Sequence, residues 1–236
     1  MNSTNNASAR ESFNIARDIL FNAWIGSFGQ GNAAACRDWV NGRKLSQSEI
    51  RLEVELNINN NRFAFGVTPN QSNSTNVIFN TENRLNLQDS LIVSEYALFV
   101  AQPTSRTDTT YTLNTYGNTQ VFAAADAAAL DSTFYSNGYF STKVNNDVVI
   151  PYRGLFNHWY KPQTQQTAAL GAGSPKDQLR GAEDAFVTQE PNLLLIGSKN
   201  YVPEIVLPSA LASAAAFERV ILIYRGVLAQ NSTVIN

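Results

Sequence analysis

The sequence predicts a mainly β chain with a helical arm at its N-terminus and a long loop inserted late in the β region. Three observations carry this prediction. Ile50, Leu52, Val54, Leu56 and Ile58 alternate with polar residues at period two, the pattern of a half-buried strand. Two runs, Leu91–Val100 and Val220–Leu228, are apolar on both faces for much of their length, as strands in the middle of packed sheets are. Polarity comes from 27 Asn with Ser, Thr and Gln, while charged residues make up only 15% of the chain, which suits neutral β surfaces. At 236 residues the chain can bury a sizeable core, and all-β folds of this length often form one unit.

The arm comes first. Ser8-Ala9-Arg10-Glu11 has the form of a capping box, the serine taking an orphan N–H while the glutamate reaches back. Apolar residues recur at Phe13, Ala16, Leu20, Ala23, Trp24 and Phe28, one helical face, and Gly26, Gly29 and Gly31 end it. From Ile19 to Ile25 the helix is apolar nearly all round. Phe21 and Ile25 there fall on the face that Arg10, Asn14, Arg17 and Asp18 keep wet. A second short helix fits Ala33 to Val40, stopped by Gly42.

The strands follow. Asn59-Asn60-Asn61 is a turn between Ile50–Ile58 and Phe63–Val67, so 50–67 reads as a hairpin. Further strands are expected at Thr75–Asn80, Ser90–Gln102, Thr110–Tyr116, Gly138–Val144, Asp147–Tyr152, Leu155–Tyr160, Leu193–Gly197, Tyr201–Leu207 and Glu218–Ala229. Ala123–Leu130 reads as a short helix laid over a sheet. Pro162–Pro191 reads as a strandless insertion, with one helical piece signalled by Ser174, Pro175 and Asp177. Strands spaced this irregularly, with long crossing connections, suit a jelly roll or sandwich better than a regular barrel. A single jelly roll accommodates them; a double one needs about sixteen strands. Residues 1–48 are thus an arm, 49–229 a β domain (49–150 and 151–229 if double), and 230–236 a tail.

Composition excludes several functions. With a net charge of −2 the chain lacks the Lys/Arg excess that phosphate binding needs, so no direct nucleic-acid contact is expected. One Cys excludes an internal disulfide framework and a Cys-based zinc site, and one His excludes a multi-histidine metal site. The polar stretch Met1–Asn14 lacks the form of a signal peptide, and no apolar run approaches the ~18 residues of a membrane span. With a lone Cys, folding in a cytoplasm is expected.

Candidate chemistry is sparse, and no catalytic, cofactor-binding or metal-ligating residue is assigned. Gly29-Gln30-Gly31-Asn32-Ala33-Ala34 resembles a dinucleotide-binding glycine pattern, but a helix rather than a strand precedes it, so it reads as a helix–helix loop. Tyr139 and Lys143 have a dehydrogenase-like spacing, yet four residues along a strand separate them by ~13 Å. His158, within Leu155-Phe-Asn-His-Trp-Tyr160, reads as a packed histidine, and Cys36 as a small buried hydrophobe. Glu53 and Glu55 with Arg51 read as a solvated charge ladder, and Glu183-Asp184 as a wet helical face. Tyr111, Tyr116, Tyr139 and Trp159 could form a sugar-stacking platform, against which stands ordinary core and interface packing.

An N-terminal helix, then strand-rich sequence poor in charge, Cys, His and Met, ends in Phe217-Glu-Arg-Val-Ile-Leu-Ile-Tyr-Arg-Gly226. Over residues 8–229 this resembles the jelly-roll major capsid proteins of icosahedral, internal-membrane-containing bacteriophages. The resemblance implies a structural virion protein without enzymatic activity or cofactor. It would be a homo-oligomer, trimer or higher, within a shell that includes other capsid proteins. It also implies that Phe13, Leu20, Phe21, Trp24, Ile25 and Phe28 lie on the inner face of that shell, against neighbouring subunits or an internal membrane. The alternatives are that the helix covers one end of its own β core, and that the chain is a carbohydrate-binding or adhesin-type β-sandwich module or another virion surface protein.

Overall fold

The computed structural model describes residues 5–29, 32–65, 85–108, 110–145, 147–160 and 185–233. Helix α1 (Asn5–Trp24) continues as a 3-10 turn (Ile25–Phe28) and is followed by α2 (Ala33–Asn41). Eight strands come next: β1 (Lys44–Glu55), β2 (Arg62–Ala64), β3 (Ser90–Ala101), β4 (Tyr139–Val144), β5 (Asp147–Gly154), β6 (Val187–Ile196), β7 (Tyr201–Val206) and β8 (Arg219–Gln230). A short helix α3 (Ala124–Ala129) and a π-helical turn (Leu130–Tyr135) lie between β3 and β4.

The strands form two four-stranded antiparallel sheets, ordered β1-β8-β3-β6 and β2-β7-β4-β5. The first strand pairs with the last, the second with the next to last, and so inward to the β4–β5 hairpin. Pairing of β3 with β8 and of β4 with β7 joins these pairs into sheets. Residues 49–150 and 151–229 supply strands to both sheets.

The inner faces enclose one core. Leu91, Val93, Tyr96, Leu98, Val100, Val220, Leu222 and Tyr224 meet Phe63, Phe140, Ile150 and Ile205 from the other sheet. Tyr96 stacks on Phe140 at 5.1 Å between centroids. A bulge between Val93 and Glu95 shifts the alternation, so that Leu91 and Val93, then Tyr96 and Leu98, face inward. The bulged backbone presses on Gly226, where a Cβ would stand 1.9 Å from the Ile92 carbonyl oxygen. Only glycine fits there.

The outer face of the β1-β8-β3-β6 sheet is covered as well, which explains why β3 and β8 read as apolar on both sides. Ala16, Leu20, Cys36 and Val40 of the two helices pack on Ile92, Val227 and Ala229 at one end. Tyr111, Leu113, Ala185 and Phe186 pack on Ala97, Phe99, Ile221 and Ile223 at the other.

Several expectations need correction. The stretch 50–67 is not a hairpin: β1 pairs with β8 and β2 with β7, because Asn57–Asn60 carries the chain from one sheet to the other. Period-two alternation is the same whether the partner strand is near or far in sequence. Helix α1 starts earlier than a cap at Ser8 would place it, running from Asn5. Thr110–Tyr116 contributes a single bridge, Val100 to Asn114, rather than a strand. Leu155–Tyr160 is not a strand but begins with a 3-10 turn, Leu155–His158. The strandless insertion ends sooner than expected, since β6 starts at Val187 and passes through Pro191. Thr75–Asn80, the helical piece at Ser174–Asp177 and Glu183-Asp184 lie outside the described residues.

Candidate functional site

Residues 110–138 and 155–160, from two connections, meet at one end of the sandwich, where Tyr160 N–H donates to the Thr115 carbonyl at 3.2 Å. The π-helical turn after α3 buries Leu130, Phe134 and Tyr135 and leaves Asp131 and Ser132 at the surface. Such turns recur at functional sites. Asp131 ties the two connections together: its Oδ1 accepts the Gly117 backbone N–H at 2.6 Å and the Trp159 indole N–H at 3.0 Å.

The result is a cleft of about 310 Å3 lined by Ala128, Asp131, Ser132, Tyr135, Ser136, Phe156 and Trp159. Its size is at the lower end for small-ligand sites. Ser132 and Ser136 donate their hydroxyl protons to the Ala128 and Asp131 carbonyls, both at 2.6 Å, so they offer lone pairs to the cleft. Phe156 is 62% exposed and Trp159 43%. Flat ring faces beside oxygen acceptors can stack on an apolar surface while accepting O–H or N–H groups at its edge.

The aromatic surface extends beyond the cleft. Tyr139 on β4 and Tyr152 on β5 are both about half exposed and meet edge to face, 6.5 Å between centroids. Of the four aromatics offered as a platform, Tyr139 and Trp159 belong to this surface. Tyr116 is half-buried, and burial followed by the charge of Asp131 raises its pKa. Tyr111 lies elsewhere, over the other sheet. Phe156 and Tyr152 were missed. The signal for Phe156 was in the sequence: read at period three, Leu155 and His158 point inward while Phe156 and Trp159 point out.

Glu53 is not on a solvated ladder. Its side chain is fully buried, with Oε1 accepting the Tyr111 hydroxyl at 2.6 Å and Arg51 Nε at 2.9 Å, and Oε2 accepting Arg219 Nη1 at 3.1 Å. Arg219 also donates to the Ser105 and Arg106 carbonyls. Burial first, then the Glu53 carboxylate, raises the Tyr111 pKa. Glu55 instead faces Arg106 at 3.2 Å, more exposed. The burial comes from Tyr111 and the Ser105–Arg106 loop folding over the sheet, which no local pattern announces.

His158 is buried, its ring 4.8 Å from that of Tyr96. Burial lowers its pKa to about 4 despite a hydrogen bond to the Ala185 backbone, so it is neutral at pH 7. Cys36 is packed under α1, and burial raises its thiol pKa. Lys143 reaches Glu204 at 2.7 Å rather than Tyr139. Gly29 closes the 3-10 turn, and Asn32 Nδ2 donates to the Phe28 carbonyl at 3.0 Å, so this glycine segment joins two helices.

The arm residues share one region. Leu20 is fully buried; Phe13, Phe21, Trp24, Ile25 and Phe28 are partly buried around it. Phe28 meets Trp39 at 5.6 Å and Arg37 lies 5.1 Å over the Phe21 ring, so α2 occupies what the arm's charge pattern marks as its wet side. The segment apolar all round is thereby covered by the sheet on one side and α2 on another.

Comparison with protein-family models, with curated proteins and with solved structures returns no match. The fold and site define a mainly β, two-sheet protein with an aromatic cleft at one end. Among the described residues, no helix is long and apolar enough to cross a membrane. No cluster of three or more His, Cys, Asp or Glu side chains among them could hold a metal ion.

Proposed function

We propose that this chain is a single jelly-roll subunit of a virion shell, a major capsid protein that assembles with copies of itself into a closed icosahedral array. The observation that carries the reading is the strand order. Sheets ordered β1-β8-β3-β6 and β2-β7-β4-β5 are what results when one long antiparallel hairpin is rolled into two layers. Jelly rolls, which viral capsid proteins, lectins and cupins use, are wound in this way, and this supports the reading. The eight strands among the described residues suffice for one such unit and fall short of two.

The surface supports the shell over the other users of the fold. A net charge of −2 with few charged residues suits faces that pack against many identical neighbours without like-charge repulsion. It does not suit direct contact with a genome, which fits a shell separated from nucleic acid by a membrane or other proteins. In this reading the arm faces the particle interior, and the partners are further copies, other capsid proteins and an internal membrane. The test is electron microscopy of the purified full-length protein. Closed shells of uniform size are expected; a strict monomer at every concentration and salt condition would reject the reading.

A second reading is favoured by one observation, the cleft where Trp159 and Phe156 stand beside Asp131. It is a carbohydrate-binding or adhesin-type module, and it predicts a monomer or trimer that binds glycans.

A further inference from the structure

We infer that Tyr152, Tyr139, Phe156 and Trp159 form one contact surface for a second copy of this chain; the inference rests on the capsid reading and names where its subunits meet. The four rings are contiguous. Tyr139 and Tyr152 touch edge to face. Gly154 is the register partner of Tyr139, and the Phe156 ring lies so close over it that a Cβ there would come within 2.5 Å. Phe156 and Trp159 then share the walls of the cleft.

The area fits a subunit contact. An aromatic side chain presents ~200 Å2, so rings exposed by 43% to 62% leave about 400 Å2 of apolar surface outside. Val148 and Val149, each about half exposed, extend it along β5, whose one strand partner among the described residues is β4. Soluble monomers rarely leave a contiguous apolar patch of more than a few hundred Å2. A stable interface takes ~800 Å2 from each partner, of which ~60% is apolar. The strip with its valines supplies most of that apolar share. The charges beside it are of both signs, Lys143 opposite Val148 and paired with Glu204 at 2.7 Å, and Asp131 in the cleft, so two identical faces can meet without net repulsion.

The experiment uses the full-length chain, with Tyr152→Ser and Phe156→Ser singly and together. Both side chains are mostly exposed, so the thermal transition should stay in place. Val149→Glu, on the exposed edge strand, is a further variant in case a serine variant fails to fold. Sedimentation velocity over a concentration series should show self-association of the natural sequence and about tenfold weaker association of each folded variant. Folded variants that associate like the natural chain overturn the inference. If they also form the same shells, the capsid reading stands and only the strip falls. Dimers that the variants abolish, without shells from any chain, leave the strip standing and remove the capsid reading. A monomeric natural chain overturns both. A monomer whose tryptophan fluorescence responds to added monosaccharides moves the cleft to sugar binding, and one whose strip is protected from solvent shows the chain covering it itself.

Discussion

Two buried titratable residues pull stability in opposite directions with pH. His158 has its pKa lowered from 6.5 to about 4, chiefly by burial, so the unfolded chain binds the extra proton and stability falls as pH drops from ~6.5 to ~4. Glu218 has its pKa raised from 4.5 to about 7, again chiefly by burial, and its Oε1 has no hydrogen-bond partner. Here the folded chain holds the extra proton, so stability falls as pH rises from ~4.5 to ~7. Each effect amounts to about 3 kcal/mol and they offset one another between pH ~4.5 and ~6.5. Glu218→Gln should therefore leave a chain whose stability climbs across that window. His158→Gln should leave one whose stability declines. Urea unfolding at a series of pH values checks this, and parallel profiles for the three chains would refute it. Glu53 makes a simpler case. Glu53→Gln removes the carboxylate charge beside the buried Arg219 guanidinium, 1% exposed, and should cost about 3 kcal/mol of unfolding free energy. An unchanged urea midpoint would mean that the two carbonyls already holding Arg219 suffice.

At the scale of elements, the β3–β8 pair sets the limits. Gly226→Ala places a methyl group against the Ile92 carbonyl, a backbone atom that cannot step aside without undoing the bulge. It should cost more than about 2 kcal/mol, visible as a lower thermal midpoint. The same change at exposed Gly26, with nothing within 4 Å, serves as the control and should have little effect. The arm is tied to the sheet through Leu20, which packs with Cys36 and Val40 over Ile92 and Val227. Leu20→Ala should destabilise the helix pair and the sheet it covers by about 2–4 kcal/mol. A change below about 0.5 kcal/mol would show that Leu20 does not anchor the arm.

For the whole molecule, an apolar strip and a charge near zero make a specific demand on assembly. In a shell of the kind proposed, contacts between subunits should depend weakly on salt, since little charge is there to screen. Light scattering at fixed protein concentration should change little between about 50 mM and 500 mM NaCl, where the Debye length falls severalfold. Assembly that collapses over that range would place charged groups at the contacts and count against the aromatic strip.

The sequence by itself determined the class of the fold, the two helices of the arm and most strands. Leu91–Val100 and Val220–Leu228 announced the central pair because burial on both faces leaves no polar alternation. Side-chain period is a local property and survives in any sheet. Which strand lies beside which is not local. Ile50–Glu55 alternates identically whether Phe63 or Tyr224 is its neighbour, so only the assembled sheets could send β1 to β8. The site follows the same division. Trp159 and Tyr139 could be named as aromatic and exposed from the chain alone. Their union with Phe156 and Tyr152 depends on residues from two connections and two strands meeting at one end, and Glu53 became buried only when Ser105, Arg106 and Tyr111 folded over it. Distances set by the whole fold, not by spacing along the chain, decide what such side chains can touch.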